Sequence, residues 1–280
     1  MTCLLGFILY QKTLILLVFQ FFCYFSQMIK ISVIGSGNVA QHLISALLLV
    51  SDIELVQVFA RNRNNIIHLV DFEKIILDFE ELKPADLYII AVSDDAIHEV
   101  SAQMPIKNSL VVHTSGSIPI DVLNDNNRKG VFYPLQTFTK NKPVNFREIP
   151  ICIESENATD FQLLEKMGKL ISDKVYAINS EQRKSLHVSA VFVCNFVNYL
   201  YQIGNEICDE NKLDFDILKP LILETANKVM TISPKQAQTG PAKRNDQKTI
   251  NAHLEFITDE NQKNIYKIIT QSIISDGQKL

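Results

Sequence analysis

The junction at residues 28–40, MIKISVIGSGNVA, constrains this chain more than any other feature. Ile29–Ile34 is a short, mostly β-branched run that stops at a glycine. From Asn38 onward the apolar positions Val39, Leu43, Ala46, Leu47 and Val50 recur at helical spacing. An apolar strand feeding directly into an amphipathic helix is the opening of a parallel sheet covered on both faces. The alternation continues, with strands predicted at 53–59, 74–77, 86–92, 109–113, 130–133, 150–153 and 174–178. Helices are predicted at 96–103 and near 120–124. After 178 the pattern changes. Residues 181–210 contain no proline and one glycine and read as one long helix. Further helices are predicted at 215–230, 247–257 and 261–274. Pro220 acts there as a kink or a late start, Asp259 as an N-cap, and 233–246 as a polar loop. The fold class is α/β: a doubly wound, mainly parallel sheet over 28–178, then an all-α domain over 179–280.

Residues 1–27 stand apart. Two apolar runs, 3–10 and 14–25, are separated by Gln11, Lys12 and Thr13 and have the length of a membrane span. No basic residue precedes Lys12, and 24–26 makes a poor signal cleavage site. Met28 opens the first strand with no linker, so the expectation is a start assigned too far upstream; the rival is a true membrane anchor. The 280-residue chain is 47% hydrophobic and 21% charged, with net charge −4. That excludes a disordered protein and argues against a nucleic-acid partner. The five cysteines, at 3, 23, 152, 194 and 208, form no C-x-x-C pair. They suit a reducing cytoplasm, and Cys152, Cys194 and Cys208 are expected to be buried small hydrophobes.

Gly35, Ser36, Gly37, Asn38, Val39 and Ala40 fit G-x-G-x-x-A. The first glycine permits the tight turn, the second lets a pyrophosphate approach the backbone, and Ala40 lets helix and strand pack closely. Free N–H groups of the helix N-terminus then face the phosphates. After the second strand an NAD-binding chain would place an acid for the ribose 2′-hydroxyl. This chain has Arg61, Asn62 and Arg63, donors suited to a 2′-phosphate, so the expected cofactor is NADP.

Other candidates lie where the strands end. Ser93 and Ser115 are placed beside the cofactor and Gln136 beside the substrate, while Asp94 is expected to cap the 96–103 helix. The long helix turns by about 100° per residue, which puts Asn198 about 20°, Gln202 about 60° and Asn195 about 80° from His187. Leu186, Ala190, Val193 and Phe196 are expected to be buried beside that stripe. His187 is then the general acid or base, with Asn195 beside it in catalysis and Asn198 anchoring substrate. A satisfied structural network or a dimer contact explains the stripe equally well. Arg244, in the loop TGPAKRND, could hold a substrate carboxylate or a cofactor phosphate. No cluster at ligand spacing suggests a metal.

VIGSGNVA, FARNR and DLYIIAVSDDAI resemble the N-terminal domain of the 6-phosphogluconate dehydrogenase-like superfamily. HTSGS (113–117), YPLQTF (133–138), the helix at 187–198 and TGPAKRND (239–246) are similar to a narrower bacterial family. That family joins a Rossmann-like domain to a helical domain of unknown function, and its members are often labelled deazaflavin-dependent NADP oxidoreductase-like. The resemblance covers about residues 28–275. It implies a helical domain that mediates a homodimer and an active site in the cleft between the domains. One departure matters: where many members carry a catalytic lysine four residues before an asparagine, this chain has His187 and Val191. The expected function is NADP-dependent hydride transfer between nicotinamide and a carbonyl or imine carbon of a small substrate. The rival is a non-catalytic NADP-binding sensor or scaffold. A cytoplasmic protein acting without nucleic acid or membrane completes the expectation.

Overall fold

The computed structural model describes residues 28–140 and 142–278. The leader reading of 1–27, with Cys3 and Cys23, lies outside the described residues. The chain divides into two compact units, one ending at Val191 and the other starting at Phe192. The first therefore runs beyond the last strand to take in the helix that follows it.

The first unit contains β1 (Ile29–Ile34), α1 (Asn38–Leu47), β2 (Ile53–Phe59), β3 (Ile75–Ile76), β4 (Leu87–Ile90) and α2 (Ile97–Gln103). It continues through β5 (Leu110–His113), β6 (Arg128–Pro134), β7 (Ile151–Ser155), α3 (Ala158–Ile171), β8 (Val175–Ala177) and α4 (Ser180–Ala190). The strands lie in the order β3-β2-β1-β4-β5-β6-β7-β8. Among the described strands only the β6–β7 pair is antiparallel, with Tyr133 opposite Cys152. The first six strands have the Rossmann order, and the direction of winding reverses between β1 and β4. Side chains from both faces of the sheet are buried: Ile31, Val33, Ile89 and Val112 in one cluster, Ile34, Ile90 and Val111 in another. This is why these strands read as predominantly apolar runs rather than strictly alternating ones.

Two elements differ from expectation. The helix foreseen near 120–124 is a 3-10 turn, Ile120–Val122, with Pro119 at its cap. Conversely, α3 fills the stretch between β7 and β8, where no helix is predicted. Asn157 caps it by accepting from the Asp160 amide at 2.9 Å, and Leu164, Met167, Gly168 and Ile171 form its buried stripe. Arg128 and Asp160 are ion-paired at 2.9 Å and tie α3 to the start of β6.

The helix beginning with α4 passes through a π turn, Val191–Phe196, and continues as α5 (Val197–Glu210). The second unit then holds a 3-10 turn (Phe215–Leu218), α6 (Lys219–Thr231), a single helical turn (Pro234–Ala237), α7 (Gln247–Phe256) and α8 (Glu260–Gln278). Pro220 lies in the first turn of α6, a late start where its missing N–H costs nothing. Asp246 caps α7, and the Asp259 carboxylate accepts from the Gln262 amide at 2.8 Å. Among the described residues of this unit few side chains are buried, Cys208, Ala242 and Ile250 being the apolar ones. Val193 and Phe196, expected inside, are 69% and 50% exposed, and Cys194 is exposed as well.

Candidate functional site

The turn after β1 is shaped by two glycines with different reasons for being glycine. Gly35 has φ +135°, and a Cβ there would run onto the Ala91 carbonyl, 2.8 Å from its carbon. A side chain is thus excluded by conformation and by the end of β4 together. Gly37 has an ordinary φ of −76°, and a Cβ there would meet nothing within 4 Å. That open space is the cradle a phosphate needs. Gly37 caps α1 without any side-chain cap, and the first turn of α1 carries no acid. The helix start therefore presents N–H groups and a positive dipole end to an anion. Ser36 is fixed by Gln41, whose amide donates to its carbonyl at 2.8 Å. The Asn38 side chain donates to the Phe138 carbonyl at 3.2 Å. Val39 is half-buried and Ala40 fully buried against the sheet.

At the end of β2 the three polar residues have separate fates. Arg61 is exposed, and among the described residues its side chain has no partner. Asn62 accepts from the Asn64 amide at 2.9 Å and caps the 3-10 turn Arg63–Asn65. The Arg63 guanidinium lies 4.7 Å from the Phe72 ring centroid, a cation–π contact, and its Nε is buried without a hydrogen bond. Of the two arginines, Arg61 is the one at liberty to reach a phosphate.

Beyond β4, Ser93 is exposed and occupies the cap position of the 3-10 turn Asp94–Ala96, which leads into α2. Asp94 therefore sits inside that turn and is not the cap expected of it. The Gln136 carbonyl oxygen accepts from the Thr137 amide at 2.8 Å and from its hydroxyl at 3.3 Å, folding the side chain onto its own loop.

The loop after β5 is held by several side-chain hydrogen bonds. Ser115 donates its N–H to His113 Nδ1 at 3.2 Å, and its hydroxyl accepts from the amides of Ser117 and Ile118, each at 3.1 Å. That makes Ser115 a builder of the turn before it is anything else. His113 is wholly buried, and its Nε2 has no hydrogen-bond partner among the described residues. Burial, and then the nearby Arg183 charge, push its pKa down to about 4. Arg183, 1% exposed, reaches into the loop from α4. It donates Nε to the Ser115 carbonyl at 3.1 Å and Nη2 to the Ile118 carbonyl at 2.6 Å, and it pairs with Glu154 of β7. Glu154 also accepts from the Ser180 amide at 3.0 Å and hydroxyl at 2.8 Å, fixing the first turn of α4. Asn179 and Gln182 complete that start as a reciprocal capping box.

One turn after Arg183 on the same helix stands His187. Its Nδ1 is 3.1 Å from the Tyr133 hydroxyl at the end of β6, and the two rings meet edge-on with centroids 6.1 Å apart. Gly116 passes beneath the pair: a Cβ there would lie 2.5 Å from His187 Nδ1 and 2.8 Å from Tyr133 Cζ. Tyr133, Gly116 and Arg183 were not singled out by the sequence. The available signals were the i, i+4 spacing of Arg183 and His187 and the glycine inside HTSGS.

Asn195, Asn198 and Arg244 belong to the second unit, and all three are exposed. Asn195 lies within the π turn, which adds a residue to the helical turn and slips the phase by about 100°, so the stripe counted on an unbroken α-helix does not continue past 191. Farther along, Gln202 and Gln262 both donate to Glu206, at 2.8 and 3.0 Å, and Asn205 donates to Asp209 at 2.9 Å. Those polar residues form a satisfied network of their own.

A family model described as a domain of unknown function, DUF2520, matches residues 149–273. The crystal structure of BF3122 from Bacteroides fragilis, a proposed NADP oxidoreductase by its name, is 39% identical. The match covers 89% of this chain and 99% of that one, with a TM-score of 0.82. The chain belongs to the same family. Protein TM1727 from Thermotoga maritima shares the family's fold at 18% identity, over 89% of this chain and 98% of its own, with a TM-score of 0.67. An imine reductase from a Pseudomonas species shares it at 15% identity, over 90% and 93%, with a TM-score of 0.62. No curated protein matches the chain. The family's common architecture is thus a Rossmann unit followed by a helical one.

Proposed function

We propose that this chain is an NADP-dependent oxidoreductase that moves hydride between nicotinamide and a carbonyl or imine carbon of a small substrate. The observation that carries this reading is the order of groups along the carboxyl edge of the sheet. The open glycine turn and bare helix start lie at the switch point between β1 and β4, where Rossmann sheets bind ligands. On the β2 side stands Arg61, ready for a 2′-phosphate. On the other side, three strand spacings from β1 or roughly 14 Å, stand Tyr133 and His187. A dinucleotide with its pyrophosphate on the glycine turn has its phosphorylated ribose at one end of this row and its nicotinamide toward the other. NADPH, when bound, supplies the hydride; the chain's part is to hold it, orient the substrate and move a proton. His187 is the proton-transfer residue, with Gln136 of the same unit as a candidate substrate contact. The name of the Bacteroides relative points the same way.

Calorimetric titration of the full chain with NADPH, NADH, NADP and NAD tests the reading. Binding is expected for the phosphorylated pair, weakened at least tenfold by Arg61→Ala and less by Arg63→Ala, whose guanidinium is already stacked on Phe72. Absence of binding to any of the four removes the oxidoreductase. Binding without NADPH oxidation toward any carbonyl or imine compound favours the sensor.

A further inference from the structure

We infer that Tyr133 is the positioning residue for proton transfer: its hydroxyl oxygen accepts from His187 Nδ1–H, which leaves Nε2 as the nitrogen that exchanges a proton with the substrate. The inference rests on the reading of His187 as the proton-transfer group and adds how that group is aimed.

Four observations converge on this pair. The hydrogen bond itself is 3.1 Å, between residues 54 apart in sequence, so it is a product of the fold and not of local geometry. Tyr133 is buried in the β6–β7 ladder opposite Cys152 and belongs to one buried cluster with Ile120, Val131 and Cys152, so it is a fixed post. His187 sits on a helix whose first turn is locked by the capping box and by Glu154, and whose next turn is locked by Arg183. Gly116 closes the arrangement, because any side chain there would occupy the space of both rings. Nothing else about the 113–117 turn demands a glycine at 116: its φ is not in the left-handed region. The bare backbone is there to let the two rings meet.

The chemistry explains why one nitrogen should be tied down. A neutral imidazole carries its proton on either nitrogen, and which one is set by the bond the other makes. Among the described residues no side chain or carbonyl engages His187 Nε2. With Nδ1–H held on the tyrosine oxygen, the neutral ring presents a lone pair at Nε2 and acts as a base. The charged ring presents N–H there and acts as an acid. In the reductive direction, hydride from NADPH adds to the C=O or C=N carbon while the Nε2 proton passes to the oxygen or nitrogen. The product is the alcohol or amine with NADP, and solvent restores the Nε2 proton. The tyrosine keeps its own proton throughout, so its contribution is orientation and tautomer, as for any group that holds a catalytic imidazole from behind.

The test is long-range nitrogen–proton NMR of the histidines in the full chain at about pH 8.5, two units above the ordinary histidine value, with His187 assigned by His187→Gln. The proposal expects the Nδ1–H tautomer for His187 and its loss in Tyr133→Phe, which keeps the ring and removes the oxygen. A wild-type His187 carrying its proton on Nε2, or a tautomer unmoved by Tyr133→Phe, overturns it. Activity is then followed as NADPH oxidation with a panel of small ketones, 2-oxo acids and cyclic imines. Tyr133→Phe should lower kcat at least tenfold with NADPH affinity and KM within about twofold of wild type. The double variant with His187→Gln should be no slower than His187→Gln alone, since the two act as a unit. A fall in NADPH affinity instead of kcat would make Tyr133 structural only and reject the inference. Absence of turnover in the wild-type chain strikes the oxidoreductase reading, whereas the tautomer result stands or falls without any substrate.

Discussion

Gly35 and Gly37 look interchangeable in the motif, yet the structure gives them opposite sensitivities. Gly35→Ala must place a Cβ against the Ala91 carbonyl at φ +135°. Backbone strain of about 1–3 kcal/mol plus the steric shift should lower the urea midpoint of the first unit. Gly37→Ala has open space and an ordinary φ, so its stability should stay within about 0.5 kcal/mol of wild type. Its methyl would stand where a pyrophosphate approaches, and calorimetry should show dinucleotide affinity falling by tenfold or more. If Gly37→Ala binds as wild type, the cradle is not the phosphate site. His113 makes a second prediction at this scale, about pH. Its pKa is pushed down to about 4, from an ordinary value near 6.5. Between those values the unfolded chain binds a proton that the folded chain refuses, so stability rises with pH across that window and falls as the medium is acidified. The full effect is about 3 kcal/mol. Denaturation at pH 4.5 and 7.0 should show it, and His113→Asn should flatten the difference.

At the scale of elements, the turn after β5 and the start of α4 are one unit held by a buried ion pair. Arg183 serves the Ser115 and Ile118 carbonyls, Ser180 and Glu154 at once. Arg183→Met should cost about 3 kcal/mol or somewhat more, because it strands a largely buried carboxylate and two carbonyls. Arg183→Met with Glu154→Leu should recover part of that loss in the same urea titration. A single variant as stable as wild type would mean that the pair is replaced by water at no cost. Little of this was readable in the sequence. β1, β2, β4 and β5 were, because strands buried on both faces are mostly apolar and β-branched, with few polar interruptions such as Lys30, Ser32, Glu54 and Gln57. Helix α3 was not, because its stripe is four residues, one of them Gly168, between two strands that draw the eye. Arg183 sits in a polar first stretch of helix, SEQRKS, where a charge ordinarily points to water; only the carbonyls of a loop nearly seventy residues away make it a core residue. The π turn is equally silent, since VFVCNF is apolar except for Asn195 and gives a period count almost nothing to register. That silence is what misplaced Val193 and Phe196.

Across the whole molecule the two units differ in how well they bury themselves. The sheet unit has continuous clusters of inaccessible side chains, whereas the helical unit leaves Phe192, Phe196, Leu200, Leu221, Leu223, Met230 and Ile268 exposed. Ser180–Glu210 is also long and apolar enough, by length and composition, to cross a membrane. A soluble monomer rarely carries so much apolar surface unless something covers it, since each Å² kept from water is worth about 25 cal/mol. The proposed cover is a second copy of the chain, paired through the helical unit. Light scattering of the purified full chain without detergent should give twice the monomer mass. Phe192→Asp with Phe196→Asp should give the monomer mass, because two desolvated carboxylates would have to be buried in the contact. Dinucleotide affinity should survive in that variant, as the glycine turn and Arg61 belong to the sheet unit. A wild-type monomer, or a dimer indifferent to both aspartates, would rule out this face as the contact. Partition into vesicles that is abolished by the same two substitutions would assign the surface to lipid instead.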